Sequence, residues 1–257
     1  MTRRWMITCG IAVVAAGAVG VGAACSHRHS GPVVPLSAAP GTAQVIGFDD
    51  LPIGQPPAGF LCAAPGPEGV KPARWQVIAA ADAPSGKQVL EQSDGDDTNN
   101  RFPIALLNGR EERDVRVAVR AKAVSGVRDR SFGVVVRARD EKNYFVARAN
   151  SSEWGENVRF YVLVDGKRSQ LDAWDGPVAP GVWHSLQVDA LGDDFVVTLD
   201  GKAVLRVHDT TYPAAGRVGV WTKAESISQF DDLTITPLAN APTASATAAA
   251  VPAAAQP

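Results

Sequence analysis

The chain has 257 residues, with 25 Lys and Arg against 27 Asp and Glu, a formal net charge of −2. That near-balance gives no electrostatic case for nucleic acid or an anionic membrane surface as a partner. Its three cysteines show no C-x-x-C and no Cys/His zinc spacing, which argues against a structural zinc site and against a disulfide-dependent scaffold.

Residues 1–24 open with Arg3 and Arg4, continue through the apolar run "IAVVAAGAVGVG" and reach small residues at "GAACS", the pattern of an export signal. The apolar run is shorter and richer in glycine than a membrane span of about 20 residues. Cys25 follows Gly22, Ala23 and Ala24 directly, so lipidation at Cys25 is expected, although a lipoprotein signal usually carries Leu where Gly22 stands. Ordinary cleavage near Ala24 is the alternative. Either way the chain is expected to be exported, lipid-anchored in a bacterial cell envelope or secreted, and to meet the membrane only through an anchor at Cys25. If Cys25 is acylated, Cys62 stands as a small buried apolar residue; otherwise the oxidising compartment allows a Cys25–Cys62 disulfide. Residues 25–42 read as a linker.

From residue 43 to 238 the helical period is almost absent and alternation is common. "DVRVAVRAK" sets Val115, Val117, Val119 and Ala121 on one face and Arg116, Arg120 and Lys122 on the other. "SFGVVVRAR", "NYFVARAN", "NVRFYVLV", "SLQVDAL", "DFVVTLD", "RVGVWTK" and "DLTITPL" repeat the pattern, each bounded by Gly, Asp, Asn or Pro. Asp165-Gly166 and Asp200-Gly201 fall between alternating runs and predict two-residue β-hairpin turns. About a dozen strands without helices predict an all-β sandwich or barrel.

"FDDL" occurs twice, in "GFDDLPIG" at 47–54 and "QFDDLTI" at 229–235. A sandwich closing on adjacent first and last strands accounts for a copy at each edge. Strand parity relates Asp49 to Leu51 and Asp231 to Leu233, so both carboxylates are expected to point inward, held by backbone donors or by a structural calcium. That calcium is the one cofactor the chain suggests. The tail, residues 239–257, is rich in Ala, Pro and Thr and lacks the apolar area to offset its ordering.

The run from "FGVVVRARDEKNYFVARAN" to "DGKRSQL", with "GVWHSLQV", "VTLDGKAVL" and "GRVGVWTKAESISQFDDLTI", resembles the concanavalin A-like lectin/glucanase superfamily. More narrowly it resembles bacterial exported domains of 3-keto-disaccharide hydrolase, or glycoside-hydrolase-family-16-like, type. The resemblance spans residues 44–237. It implies an all-β, two-sheet antiparallel jelly-roll sandwich whose concave sheet forms a carbohydrate groove, but it does not by itself imply an activity.

Family 16 glucanases carry Glu-x-Asp-x-Glu on a strand, since alternate residues share a face and both carboxyls then reach one glycosidic bond. That signature is absent here. Glu153 and Glu156 stand three apart in a glycine-containing loop, and the pairs Asp49-Asp50, Asp193-Asp194 and Asp231-Asp232 are adjacent. The expected function is therefore an exported carbohydrate-binding or surface-interaction domain. The alternative is a hydrolase or lyase on 3-keto-glycosides, with Glu153, Glu156 or Glu225 as acid or base.

Arg137, Arg148 and Arg159 fall in three successive strands, with Tyr144, Asn150 and Tyr161 beside them, and are expected to meet a carbohydrate ligand. A solvated sheet face is the competing reading. Trp154 and Trp174 are read in polar loops, and Trp154 is the expected stacking residue; Lys223 and Glu225 follow a strand end at the groove rim. Trp75, Trp183 and Trp221 are read as core, and His184 as a packing residue. "SDGDDTNN" at 93–100 imitates the start of a calcium loop, but Ala105 stands where its closing Glu belongs, so a solvated turn is expected.

Overall fold

The computed structural model describes residues 32–240. The export signal, Cys25 and the tail beyond residue 240 lie outside the described residues. Sixteen strands form: β1 (Ala38–Pro40), β2 (Gln44–Ile46), β3 (Phe60–Ala63), β4 (Trp75–Ala79), β5 (Gln88–Gln92), β6 (Ile104–Leu107), β7 (Val115–Ser125) and β8 (Ser131–Asp140). The second half holds β9 (Asn143–Ser152), β10 (Gly155–Val164), β11 (Lys167–Asp175), β12 (His184–Leu191), β13 (Asp194–Leu199), β14 (Lys202–His208), β15 (Arg217–Trp221) and β16 (Ile227–Asn240). No helix among the described residues is long and apolar enough to cross a membrane.

The strands make two antiparallel sheets. One runs β14-β13-β12-β7-β16-β5-β4, with β1 and β2 also on β16; the other runs β11-β10-β9-β8-β15-β6-β3. Alternation in the sequence becomes the two faces of each sheet. Val115, Val117 and Val119 from β7 meet Phe132 and Val134 of β8 and Phe145 of β9 in one core between the sheets. Phe195 anchors it, 4.7 Å from the ring of Phe145 and 5.2 Å from that of Phe160. Burying each such side chain contributes about 1.5–3 kcal/mol.

Both Asp-Gly turns form as expected. Asp165 and Gly166 have φ of 50° and 76°, Asp200 and Gly201 of 48° and 78°, the left-handed pair that a two-residue hairpin needs. The first and last strands are adjacent: β2 pairs with β16 at Leu233–Ile235, and β1 pairs with it at Leu238–Asn240. The folded part therefore reaches into the segment read as a linker.

The duplicated FDDL is not a duplicated strand. The second copy lies in β16, whereas Phe48–Leu51 is a turn closed by the Leu51 amide on the Phe48 carbonyl at 3.1 Å. Strand parity therefore does not apply to Asp49. It misleads at Asp231 as well, because a bulge between Asp231 and Thr234, with Asp232 at φ 49°, resets the alternation. Phe230 enters the core and Asp231 faces the other way.

Both carboxylates grip the same β4–β5 loop. Asp49 Oδ1 accepts the amides of Lys87 (2.6 Å) and Gln88 (3.0 Å), while Asp231 Oδ2 accepts the amide and hydroxyl of Ser85, each at 3.1 Å. Lys122 holds that loop a third time through Asp82 at 2.7 Å. Backbone donors thus serve Asp49 and Asp231, and among the described residues no group of three His, Cys, Asp or Glu is placed to hold a metal.

Cys62 lies in β3 opposite Ala105, packed against the core, and burial pushes its thiol up to about 11. Alkylation at pH 8, read by mass spectrometry at Cys62, is expected to be slow in the folded protein and fast in urea, because the thiolate is the reactive form.

Candidate functional site

Residues directly opposed across neighbouring strands share a face, so the register writes out the outer surface of the seven-stranded sheet row by row. One row reads Trp221, Gly133, Arg148, Arg159, Ala173 from β15 to β11. The next, towards the β9–β10 turn, reads Ser131, Asn150, Asn157, Asp175. On the other side lie Gly219, Val135, Val146, Tyr161 and Gln170.

The middle of this face is closed. Val135, Tyr144, Val146, Leu163 and Trp221 are fully buried in a second apolar cluster. Phe102, delivered by the β5–β6 connection, stacks on Trp221 with ring centroids 5.6 Å apart. The Arg168 guanidinium then covers Phe102 at 5.1 Å and Tyr161 at 4.5 Å. Trp221 Nε1 donates to the Tyr144 hydroxyl at 3.0 Å, and burial pushes the Tyr144 phenol up. Tyr144 is on the expected face but has no surface to offer a ligand.

Arg137 leaves the group altogether. It adopts φ 52° at a bulge in β8, and its guanidinium turns to the sandwich edge, where it donates to the carbonyls of Arg113 and Tyr212 at 3.1 Å each, and to that of Gly192. Its charge lies 5.0 Å from the Phe195 ring and burial lowers its pKa. Arg137 is a buried structural cation.

The polar end of the face brings Arg148, Asn150, Arg159, Tyr161 and Lys223 together, with Asp129 and Asn157 added. Lys223 Nζ donates to Asp129 Oδ2, and Arg148 Nη1 stands 3.8 Å from Asp129 Oδ1. Arg148 Nη2 donates to Asn157 Oδ1, while its Nε is buried without a hydrogen-bond partner. Burial is the main cause that lowers the Arg148 pKa; Arg168 and Arg159 lower it further, and Tyr161 and Asp129 oppose them. Arg159 pairs with Asp175 and donates to the Trp174 carbonyl at 2.9 Å.

The β9–β10 turn is tied to this end, since Asn150 (2.8 Å) and Asn157 (3.0 Å) both donate to the Gly155 carbonyl. At its tip Trp154 is 79 % exposed. Glu153 is exposed beside it. Glu156 shares the parity of the core residue Val158, and its carboxylate accepts the Val178 amide at 3.2 Å, away from this face.

Glu225 Oε1 accepts the amides of Arg128 (2.6 Å) and Asp129 (3.0 Å). Burial alone would raise its pKa, but the amide bonds and Arg128 outweigh it and the net shift is downward. A depressed folded pKa contributes stability that is present above the ordinary value of 4.5 and lost as pH falls through the folded value. Glu225→Gln is therefore expected to lower the urea midpoint at pH 7 and to match the parent at the acid end of a pH series.

Two tryptophans differ from their sequence reading. Trp183 precedes β12, half-buried, with Nε1 donating to Asp82 at 3.2 Å and Lys122 Nζ 4.9 Å from its ring, so it is not core. Trp174 lies in β11 and packs against the core instead of standing in a loop. His184 is buried between Asp200 (2.7 Å) and the Ala179 carbonyl (2.9 Å), stacked on Phe132, as a packing residue would be. Asp94 of the acidic loop takes the Arg74 amide at 2.9 Å and Arg101 at 2.6 Å.

Asp129, Asn157 and Arg168 were not singled out in the sequence. Asn157 and Arg168 follow from register once "ARANSSEWGENVRFYVLVDGKRSQ" is paired as a meander. Asp129 sits in "GVRDRS", which carries no motif, and only the fold brings it to Lys223.

No family model matches the chain, and no curated protein matches it. Among solved structures it is similar to the carbohydrate binding module CBM66 from Bacillus subtilis, at 20% identity and TM-score 0.52, covering 69% of this chain and 94% of that one. A protein of unknown function with a galectin-like fold from Bacillus subtilis (8% identity, 71% and 90% covered, TM-score 0.48) and the T. cruzi calreticulin globular domain (11%, 77% and 88%, 0.49) align more loosely. At that identity the first likeness shows the fold alone: a β-sandwich of two antiparallel sheets.

Proposed function

We propose that this domain binds a saccharide at the polar end of the outer face of the seven-stranded sheet. One observation carries the reading: a buried guanidinium, Arg148, keeps an unspent Nε–H on a polar face that it shares with Asn150, Asn157 and Arg159, and the turn that follows carries the exposed indole of Trp154. Amides and guanidiniums suit sugar hydroxyls, and an exposed indole suits the apolar face of a pyranose. The shared fold with a carbohydrate binding module supports the same reading.

Hydrolysis of 3-keto-disaccharides, which the family resemblance implies, has less support. Asp129 is the buried carboxylate at this end, and Lys223 and Arg148 engage it. The proposal includes export, with lipid on Cys25, and intact-mass measurement of the protein from its own membranes tests that part.

Saturation-transfer NMR with a panel of disaccharides and their 3-keto forms tests the binding. Transfer without turnover is expected. Trp154→Ala should weaken binding roughly tenfold, equivalent to about 1.4 kcal/mol, and leave the thermal midpoint unchanged because the side chain is largely in solvent. New anomeric signals growing with time would replace binding by hydrolysis.

A further inference from the structure

We propose that the ligand is an acidic saccharide, recognised through a sugar carboxylate of the uronic-acid type. The inference rests on the saccharide-binding reading and adds the chemical class.

The polar end of the face holds more cations than it neutralises. Arg148, Arg159 and Lys223 gather there, with Arg168 reaching over Tyr161 from the apolar middle of the face, against the carboxylates of Asp129 and Asp175. Lys223 takes Asp129, and Arg159 takes Asp175. Arg148 is left 3.8 Å from Asp129, beyond hydrogen-bond reach, and spends Nη2 on the neutral oxygen of Asn157. Glu225 gives one oxygen to the backbone amides of Arg128 and Asp129, and its other oxygen is buried without a hydrogen-bond partner.

Two of these guanidiniums flank one ring. Arg148 lies 5.7 Å and Arg168 4.5 Å from the Tyr161 centroid. Arg148 is only 8% exposed and its Nε has no partner; Arg168 Nη1 is also buried without one. Buried N–H groups on a cation that remain unspent call for an acceptor, and an anion serves best. A planar guanidinium fork matches a planar carboxylate in two parallel hydrogen bonds. Ring contacts hold Arg168 over Phe102 and Tyr161, and a carboxylate competes with such contacts on favourable terms. A neutral sugar would leave the excess charge uncompensated.

The test is calorimetric titration of the full chain with three tetrasaccharides: oligogalacturonate, its neutral methyl ester, and a neutral glucan. A sulfated glucan oligosaccharide is the fourth arm. Oligogalacturonate is expected to bind at least about tenfold more tightly than its methyl ester, with a margin that shrinks as salt rises. Arg168→Gln, at a half-exposed position, should reduce that margin while the thermal midpoint holds. Equal or tighter binding of the ester or the neutral glucan would overturn the acidic class and leave saccharide binding standing. Equal binding of the sulfated arm would overturn carboxylate recognition in favour of charge alone. No binding in any arm would overturn both readings.

Discussion

Asp129→Ala is expected to cost about 3–5 kcal/mol of folding stability, the range for breaking a buried ion pair by removing one partner. The Asp129, Lys223 and Arg148 side chains are 7%, 11% and 9% exposed, so the two cations keep little solvent when the carboxylate goes. A native domain has about 5–15 kcal/mol in total, so the variant should unfold at a clearly lower urea concentration with an unchanged slope. Lys223→Met in the same chain should recover part of the loss, because it removes the cation that was stranded. A loss below about 1 kcal/mol for Asp129→Ala would place the pair among exposed bridges of little value. The same variant would probe the site, since Asp129 neutralises the charge beside Arg148.

Gly219→Ala is expected to destabilise by about 3 kcal/mol, at the upper end of overpacking. Gly219 sits in β15 between β8 and β6, opposite Val135 and Leu106. A Cβ there would lie 2.1 Å from the Ala105 carbonyl oxygen and 3.0 Å from the Leu106 Cα, both backbone, so neither can step aside without parting β15 from β6. Gly201→Ala supplies the contrast. Its Cβ meets nothing within 4 Å, but φ is 78°, so the cost is conformational strain alone, about 1–2 kcal/mol. Thermal melts of the two variants should rank Gly219→Ala well below Gly201→Ala. The reverse order would mean that β15 and β6 are not in close register.

Alternation and two Asp-Gly turns make most of this fold legible in the sequence, because strand parity and left-handed turns depend on neighbouring residues only. Arg148, Asn150, Arg159 and Tyr161 fall in successive alternating strands, and the register of β9 and β10 sets them on one face. Where the reading failed, a non-local or irregular feature intervened. A bulge with positive φ turns Arg137 away from its neighbours, and another resets Asp231. Phe48–Leu51 copies the letters of a strand but forms a turn. Tyr144 is buried by Phe102, which lies 42 positions earlier in the chain and stacks on Trp221, and no local pattern announces such a cover. Asp129 reaches Lys223 across 94 residues of chain, a contact that only the paired sheet creates.

Amide chemical-shift mapping shows whether the polar end of the outer face of the seven-stranded sheet is the ligand surface. The folded protein would be titrated with oligogalacturonate and with neutral tetrasaccharides, following backbone amides of both sheets. Shifts are expected in the β9–β10 hairpin from Arg148 to Arg159 and at Asp129 and Lys223, with the outer face of the nine-stranded sheet silent. Shifts confined to the nine-stranded sheet, or none with any saccharide, would contradict it.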